Sequence, residues 1–176
     1  MRSLVLVVGL LLVLATVAFS QGVRWTIVNW KVRHDFPKVQ RISPQEVAEW
    51  IKDAKRDQPV LLDVRTKAEY DVSHIRGAQR VEPGSEANAI ELAKGKPIVT
   101  YCSVGYRSGA FATKLQEAGY KNVRNMSGSI FEWANDGYPV ERDGKRVEKV
   151  HPYNEEWSGL LKEPLRAQIP PAGKGM

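Results

Sequence analysis

Two short apolar runs constrain the fold of this chain more than any other feature. They are Val60-Leu61-Leu62-Asp63-Val64 and Pro97-Ile98-Val99-Thr100-Tyr101, and Asn122 to Met126 reads as the last core strand. Short apolar, β-branched runs without alternation read as strands buried on both faces, which is the habit of parallel sheets. Helical patterns separate them. Ser43-Pro44-Gln45-Glu46 is a helix start, with Ser43 as N-cap, Pro44 at the first helical position and Glu46 completing a capping box. Val47, Trp50, Ile51 and Ala54 then repeat at helical spacing. Thr66 caps a short turn over Lys67 to Asp71, Ser85 to Ala93 reads as a helix, and Ser108 to Ala118 carries Ala110, Phe111, Leu115 and Ala118 on one face. With short strands at Arg41-Ile42 and Gln79 to Val81 and a last helix at Ser129 to Ala134, this alternation predicts an α/β fold around a largely parallel sheet.

The 176 residues have room for one ordinary domain with extensions. Residues 1–20 are a targeting segment. Arg2 precedes an apolar run from Leu4 to Phe19, and Ala18 and Ser20 stand at the minus-three and minus-one positions of a cleavage site before Gln21. Two readings stay open, a cleaved secretory signal and an uncleaved membrane anchor, the uncharged stretch Ser3 to Val23 being long enough to span a bilayer. Both predict export, to a periplasm or to the outer face of a membrane. Residues 21–38 read as a linker, 39–142 as the domain, and 143–176 as a C-terminal extension in which a short docked helix is expected around Trp157, Leu160 and Leu161.

The net charge of +6 favours anionic partners, but the basic residues form no run or nucleic-acid motif, so an anionic small substrate is expected rather than nucleic acid. One cysteine excludes an internal disulfide and a multi-cysteine metal site. The histidines His34, His74 and His151 are far apart and lack ligand spacing, so no structural metal is expected.

That one cysteine, Cys102, ends an apolar strand and opens the loop Ser103-Val104-Gly105-Tyr106-Arg107, with Ser108 expected to cap the next helix. Only the thiolate is a good nucleophile, and a helix N-terminus lowers a thiol pKa. The loop amides can form an anion-binding concavity, Gly105 permits a backbone shape that a side chain obstructs, and Arg107 adds a charge and a planar donor fork. An inert buried cysteine is common, but it has no use for such a loop.

These residues resemble a single-domain rhodanese, a sulfurtransferase module. Leu61-Leu62-Asp63-Val64-Arg65 with Glu69-Tyr70 and His74-Ile75-Arg76-Gly77-Ala78 is similar to the family's N-terminal signature. Tyr101 to Ser108 is similar to its active-site loop, and Ser127-Gly128-Ser129, Trp133 and Gly137-Tyr138-Pro139-Val140 to its C-terminal signature. Ser73 replaces the glycine usual before the histidine. The resemblance covers about Val39 to Arg142 and implies a three-layer fold with a five-stranded, mostly parallel central sheet flanked by helices.

The resemblance further implies a mechanism. Cys102 would take the outer sulfur of a small anionic donor such as thiosulfate, hold it as a persulfide, and pass it to cyanide or a thiol, with no cofactor beyond that covalent sulfur. Ser103, Val104, Gly105, Tyr106, Arg107 and Ser108 would bind the donor. Four residues separate Cys102 from Arg107, whereas related phosphatases have five, so the smaller cradle suits sulfur. His74 is read as a structural hydrogen bonder in its turn. Asp63 and Arg65 are read as supporting residues, structural rather than catalytic, with Arg65 and Glu69 at ion-pair spacing if that turn is helical. Two other readings are a non-catalytic binding module of an envelope complex and a thiol redox protein.

Overall fold

The computed structural model describes residues 21–169. The apolar run and cleavage position expected in residues 1–20 lie outside the described residues. Five strands, β1 (Gln40–Ile42), β2 (Val60–Asp63), β3 (Gln79–Arg80), β4 (Ile98–Tyr101) and β5 (Val123–Met126), form one sheet in the order β1-β5-β4-β2-β3. Every pairing is parallel. β4 is central, and all four of its residues are buried, as its unbroken apolar character requires.

Successive residues face opposite sides of the sheet, which divides the core in two. Leu61, Val99, Tyr101 and Met126 join the cluster that holds Val47 and Trp50 of helix α2 (Pro44–Lys52) and Ile130, Phe131 and Trp133 of helix α5 (Ser129–Asn135). Leu62, Ile98 and Val123 face Phe111, Ala112 and Leu115 of helix α4 (Tyr106–Glu117). The result is the expected three-layer α/β arrangement, with helices on both faces of a parallel sheet.

The helix starts follow local chemistry. At α2 the Glu46 amide donates to Ser43 Oγ at 3.2 Å and the Ser43 amide donates to Glu46 Oε2 at 2.8 Å. Thr66 and Glu69 close the same reciprocal box at helix α3 (Lys67–Val72). The capping thus spends Glu69's backbone amide and part of its carboxylate before the site is considered.

Three segments differ from the sequence reading. Residues 21–35, read as a linker, form helix α1. Trp25, Val28 and Val32 lie at helical spacing and join a cluster with Val150, Leu160 and Leu161 of the C-terminal segment. The partner surface for this helix lies at the other end of the chain, so local composition did not disclose it. Among the described residues no helix is long and apolar enough to cross a membrane.

The helix expected over Ser85 to Ala93 shrinks to a 3-10 turn at Ala87–Ala89. Its N-cap, Glu86, makes no side-chain cap bond, and Ala87 is its one buried residue. Near Glu141, where periodicity was expected to end, the chain forms a hairpin of β6 (Val140–Arg142) and β7 (Lys145–Val147). Asp143 at φ 52° and Gly144 at φ 73° supply the paired left-handed residues of a tight hairpin turn. Helix α6 (Glu155–Ser158) is the short docked helix expected before Leu160 and Leu161.

Candidate active site

Site residues gather where β4 ends, at the carboxyl edge of the sheet, which is where open α/β folds bind ligands. Cys102 is 1% exposed. Its sulfur accepts the Gly105 amide at 3.1 Å and lies 3.5 Å from the Ser108 hydroxyl. Gly105 sits at φ 107°, a left-handed conformation that lets its amide turn back on the sulfur. Gly105, rather than Ser108, is the N-cap of α4, so the cap falls three residues earlier than expected and the amino end of the helix lies closer to the thiol.

A second element grips the loop from behind. The Cys102 amide donates to Ser129 Oγ at 3.1 Å, and the Ile130 and Phe131 amides donate to the Cys102 and Ser103 carbonyls at 3.1 Å. Asn125 of β5 donates from Nδ2 to the Gly105 carbonyl at 2.8 Å and accepts the Ser108 hydroxyl at Oδ1 at 2.7 Å. These bonds fix the shape of the loop from its outer side, as a preorganised anion site requires.

The donor fork of Arg107 is engaged within the protein. Its guanidinium is bidentate on Glu69, at 2.9 and 2.7 Å, and donates to Ser103 Oγ at 3.0 Å. Ser103 in turn donates to Glu69 Oε1 at 2.9 Å. Glu69 thus joins the capping box of α3 to the cysteine loop, a role its place in the sequence did not reveal. The expected Arg65–Glu69 pair does not form. Arg65 is instead buried with Asp63, through Nε at 2.8 Å and Nη2 at 2.6 Å, and donates from Nη2 to the Ser73 carbonyl at 2.7 Å. Asp63 and Arg65 therefore brace the β2–α3 turn and do not touch the sulfur. His74 lies in the turn as read, with Nδ1 3.2 Å from the Tyr70 carbonyl and its ring stacked on Tyr70 at 3.9 Å.

The electrostatics favour a thiolate. Burial pushes the Cys102 thiol up, but the Arg107 charge, the Ser108 hydroxyl and the Ser108 and Gly105 amides outweigh it and hold the thiol below its ordinary value. The Ser108 hydroxyl has one proton and two takers, Asn125 Oδ1 and the sulfur. Ser108→Ala is expected to raise the thiol pKa, read as a shift to higher pH in the ultraviolet thiolate titration. An unmoved titration would assign the stabilisation to the amides and Arg107 alone.

Burial also pushes Glu69 up, yet Arg107 and the Thr66 bonds bring it from 4.5 down to about 2. A depressed carboxylate contributes stability that is fully present above its unfolded value and is lost as pH falls toward its folded value. The shift corresponds to about 3 kcal/mol, present above about pH 4.5 and lost progressively down to about pH 2. Glu69→Gln is expected to cost about 2 kcal/mol at neutral pH and to flatten the acid limb of the stability curve in that window. Denaturant unfolding at several pH values checks this, and an unchanged acid limb would contradict it.

A cavity of about 330 Å³ opens above the sulfur. Cys102, Ser103, Val104, Tyr106 and Arg107 line it from the loop, Val28 and Lys31 from α1, and Tyr153 and Trp157 from the C-terminal segment. A larger cleft of about 380 Å³, between α2 and the β6–β7 hairpin, gathers Ile51, Trp133, Tyr138 and Arg146 and lies away from the thiol, which is not among its lining residues. Residues missed from sequence include Asn125, Ser129 and Tyr153. A polar Asn125 inside a buried strand was the available signal for the first. His151, set aside for want of ligand spacing, stands beside Tyr153 and accepts its amide at Nδ1 at 3.0 Å.

A family model described as a rhodanese-like domain matches residues 43–136. Over 106 residues the chain is 32% identical to a probable adenylyltransferase/sulfurtransferase, MoeZ, of Mycobacterium tuberculosis, covering 58% of this chain and 26% of that protein. It is 36% identical over 101 residues to a tRNA uridine(34) hydroxylase of Staphylococcus epidermidis, covering 53% of this chain and 31% of that protein. The chain thus spans a third or less of the length of these relatives. Among solved structures, a rhodanese-related protein from Thermoplasma volcanium is 26% identical with a TM-score of 0.50, covering 58% of this chain and 97% of that one. A Bacillus halodurans protein is 25% identical with a TM-score of 0.57, covering 75% and 98%.

Proposed function

The chain belongs to the rhodanese-like family, and from that premise we propose that it is a sulfurtransferase working through a persulfide on Cys102. The carrying observation is the buried sulfur that accepts the Gly105 amide at the mouth of α4, with four residues between it and Arg107. The Cys102 thiolate attacks the outer sulfur of thiosulfate. A bond forms between the two sulfurs, the bond to the sulfonate sulfur breaks, and sulfite leaves with its electron pair. The loop amides hold the negative charge on the terminal persulfide sulfur. Cyanide or a thiolate then attacks that terminal sulfur, and Cys102 departs as a thiolate. The sulfur moves without net oxidation of the enzyme, so the reaction requires no metal or organic cofactor.

Arg107 has a double task in this reading. Glu69 holds it in place, and its charge, 26% exposed at the side chain, faces the cavity where the anionic donor enters. We further place the domain outside the cytoplasm, as a periplasmic or membrane-tethered protein, because the apolar run from Leu4 to Phe19 follows Arg2 and precedes no charge until Arg24. A mature chain beginning at Gln21 would establish cleavage, and an intact Met1 on protein recovered with membranes would establish the anchor. The test of the activity is steady-state turnover with thiosulfate and cyanide. Thiocyanate release that saturates with thiosulfate supports the reading, and absence of turnover across sulfane donors overturns it.

A further inference from the structure

The cavity above Cys102 is completed by parts of the chain outside the matched stretch. Val28 and Lys31 come from α1, and Tyr153 and Trp157 from the C-terminal segment. These parts are fastened to each other. Gln21 donates to the Gly159 carbonyl at 2.9 Å, Arg24 donates to the Glu156 carbonyl, and Val28 and Val32 share one apolar cluster with Val150, Leu160 and Leu161. The Val150 amide donates to the Leu165 carbonyl at 2.8 Å, and Val150 accepts the Ala167 amide at 2.9 Å. That pairing anchors the short strap which delivers Tyr153.

Tyr153 is placed deliberately by this strap. It sits at φ 67°, in the left-handed region that favours glycine, and its ring lies 4.7 Å from the Arg107 guanidinium carbon. It remains 41% exposed, so burial of the ring in the core does not account for it. Beside Cys102 and Ser103, the cavity wall is Val28, Val104, Tyr106 and Trp157, with Lys31 and Arg107 as cationic groups paired with Asp35 and Glu69. A space of this size and lining suits an organic ligand with a polar end, and a small inorganic anion leaves most of it empty.

We propose that the sulfur acceptor is a small organic thiol with an apolar body, and that Val28, Tyr153 and Trp157 select it. The proposal rests on the persulfide reading above. The acceptor enters as a thiolate, its body against Tyr153, Trp157 and Val28 and its sulfur toward the base of the cavity. It attacks the terminal sulfur of the Cys102 persulfide. The bond between that sulfur and Cys102 Sγ breaks, the acceptor leaves as a persulfide anion, and Cys102 is left as a thiolate, so that charge and electrons balance without an oxidant or an added proton.

The test uses the full chain loaded with thiosulfate and then mixed with phenylmethanethiol or 2-mercaptoethanol in single-turnover experiments. Transfer to phenylmethanethiol is expected to be faster by on the order of ten-fold. Tyr153→Gly, which suits the left-handed backbone there, and Trp157→Ala are each expected to shrink that ratio severalfold. Equal rates for the two thiols in the wild type, or a ratio unmoved by either variant, would overturn the acceptor proposal while leaving the persulfide intact. Failure of Cys102 to take up sulfur from thiosulfate would overturn both.

Discussion

Cys102→Ser is expected to lower sulfur-transfer turnover by about a thousand-fold or more, with the fold retained. The serine oxygen can still accept the Gly105 amide that now reaches the sulfur at 3.1 Å. It cannot form a persulfide, and a hydroxyl in this loop stays protonated at neutral pH, so the covalent step is lost at its first bond. The measurement is thiocyanate formation beside a circular dichroism spectrum of the same sample. A folded serine variant that keeps a tenth of the wild-type rate would remove Cys102 from the mechanism.

The second large effect is on stability. Arg65→Leu is expected to cost about 3–5 kcal/mol, because it leaves Asp63 as a buried, uncompensated carboxylate. Both side chains are fully buried, and Asp63 accepts from Arg65 Nε, Nη2 and its backbone amide. Replacing both, as Asp63→Leu with Arg65→Leu, is expected to recover much of that cost, since a buried ion pair often exchanges nearly evenly for apolar packing. Urea unfolding of the two single variants and the double completes the cycle. A double variant as unstable as the sum of the singles would show that the pair is not the source of the cost.

The centre of the sheet was readable because β2 and β4 are buried on both faces and so are nearly all apolar; the short edge strands β1 and β3, Gln40–Ile42 and Gln79–Arg80, carry no such pattern. The boxes at Ser43 and Thr66 were readable because capping is local. What escaped were contacts between segments far apart in the chain. α1 becomes a helix by docking on Leu160 and Leu161, and nothing near residues 21–35 points to that surface. The hairpin at Asp143-Gly144 did carry a local sign, a turn dipeptide, but the charged residues around it obscured the strands.

The site divides in the same way. The loop from Cys102 to Ser108 and the left-handed role of Gly105 follow from local sequence. Glu69 does not, because its partner Arg107 is 38 residues away, while its spacing to Arg65 suggested a pair that β2 has already committed to Asp63. The wall of the cavity was the least legible part. Tyr153 and Trp157 line the cavity from a strap held by the bridge between Val150 and Arg166 and by its contacts with α1, all of them distant in the chain.

The most direct test of the central claim is the mass of the peptide containing Cys102 after thiosulfate treatment of the intact protein. Addition of one sulfur to that peptide, removed again by cyanide and absent in Cys102→Ser, is the predicted result. A folded wild-type protein whose Cys102 peptide gains no sulfur from thiosulfate or any other sulfane donor would contradict it.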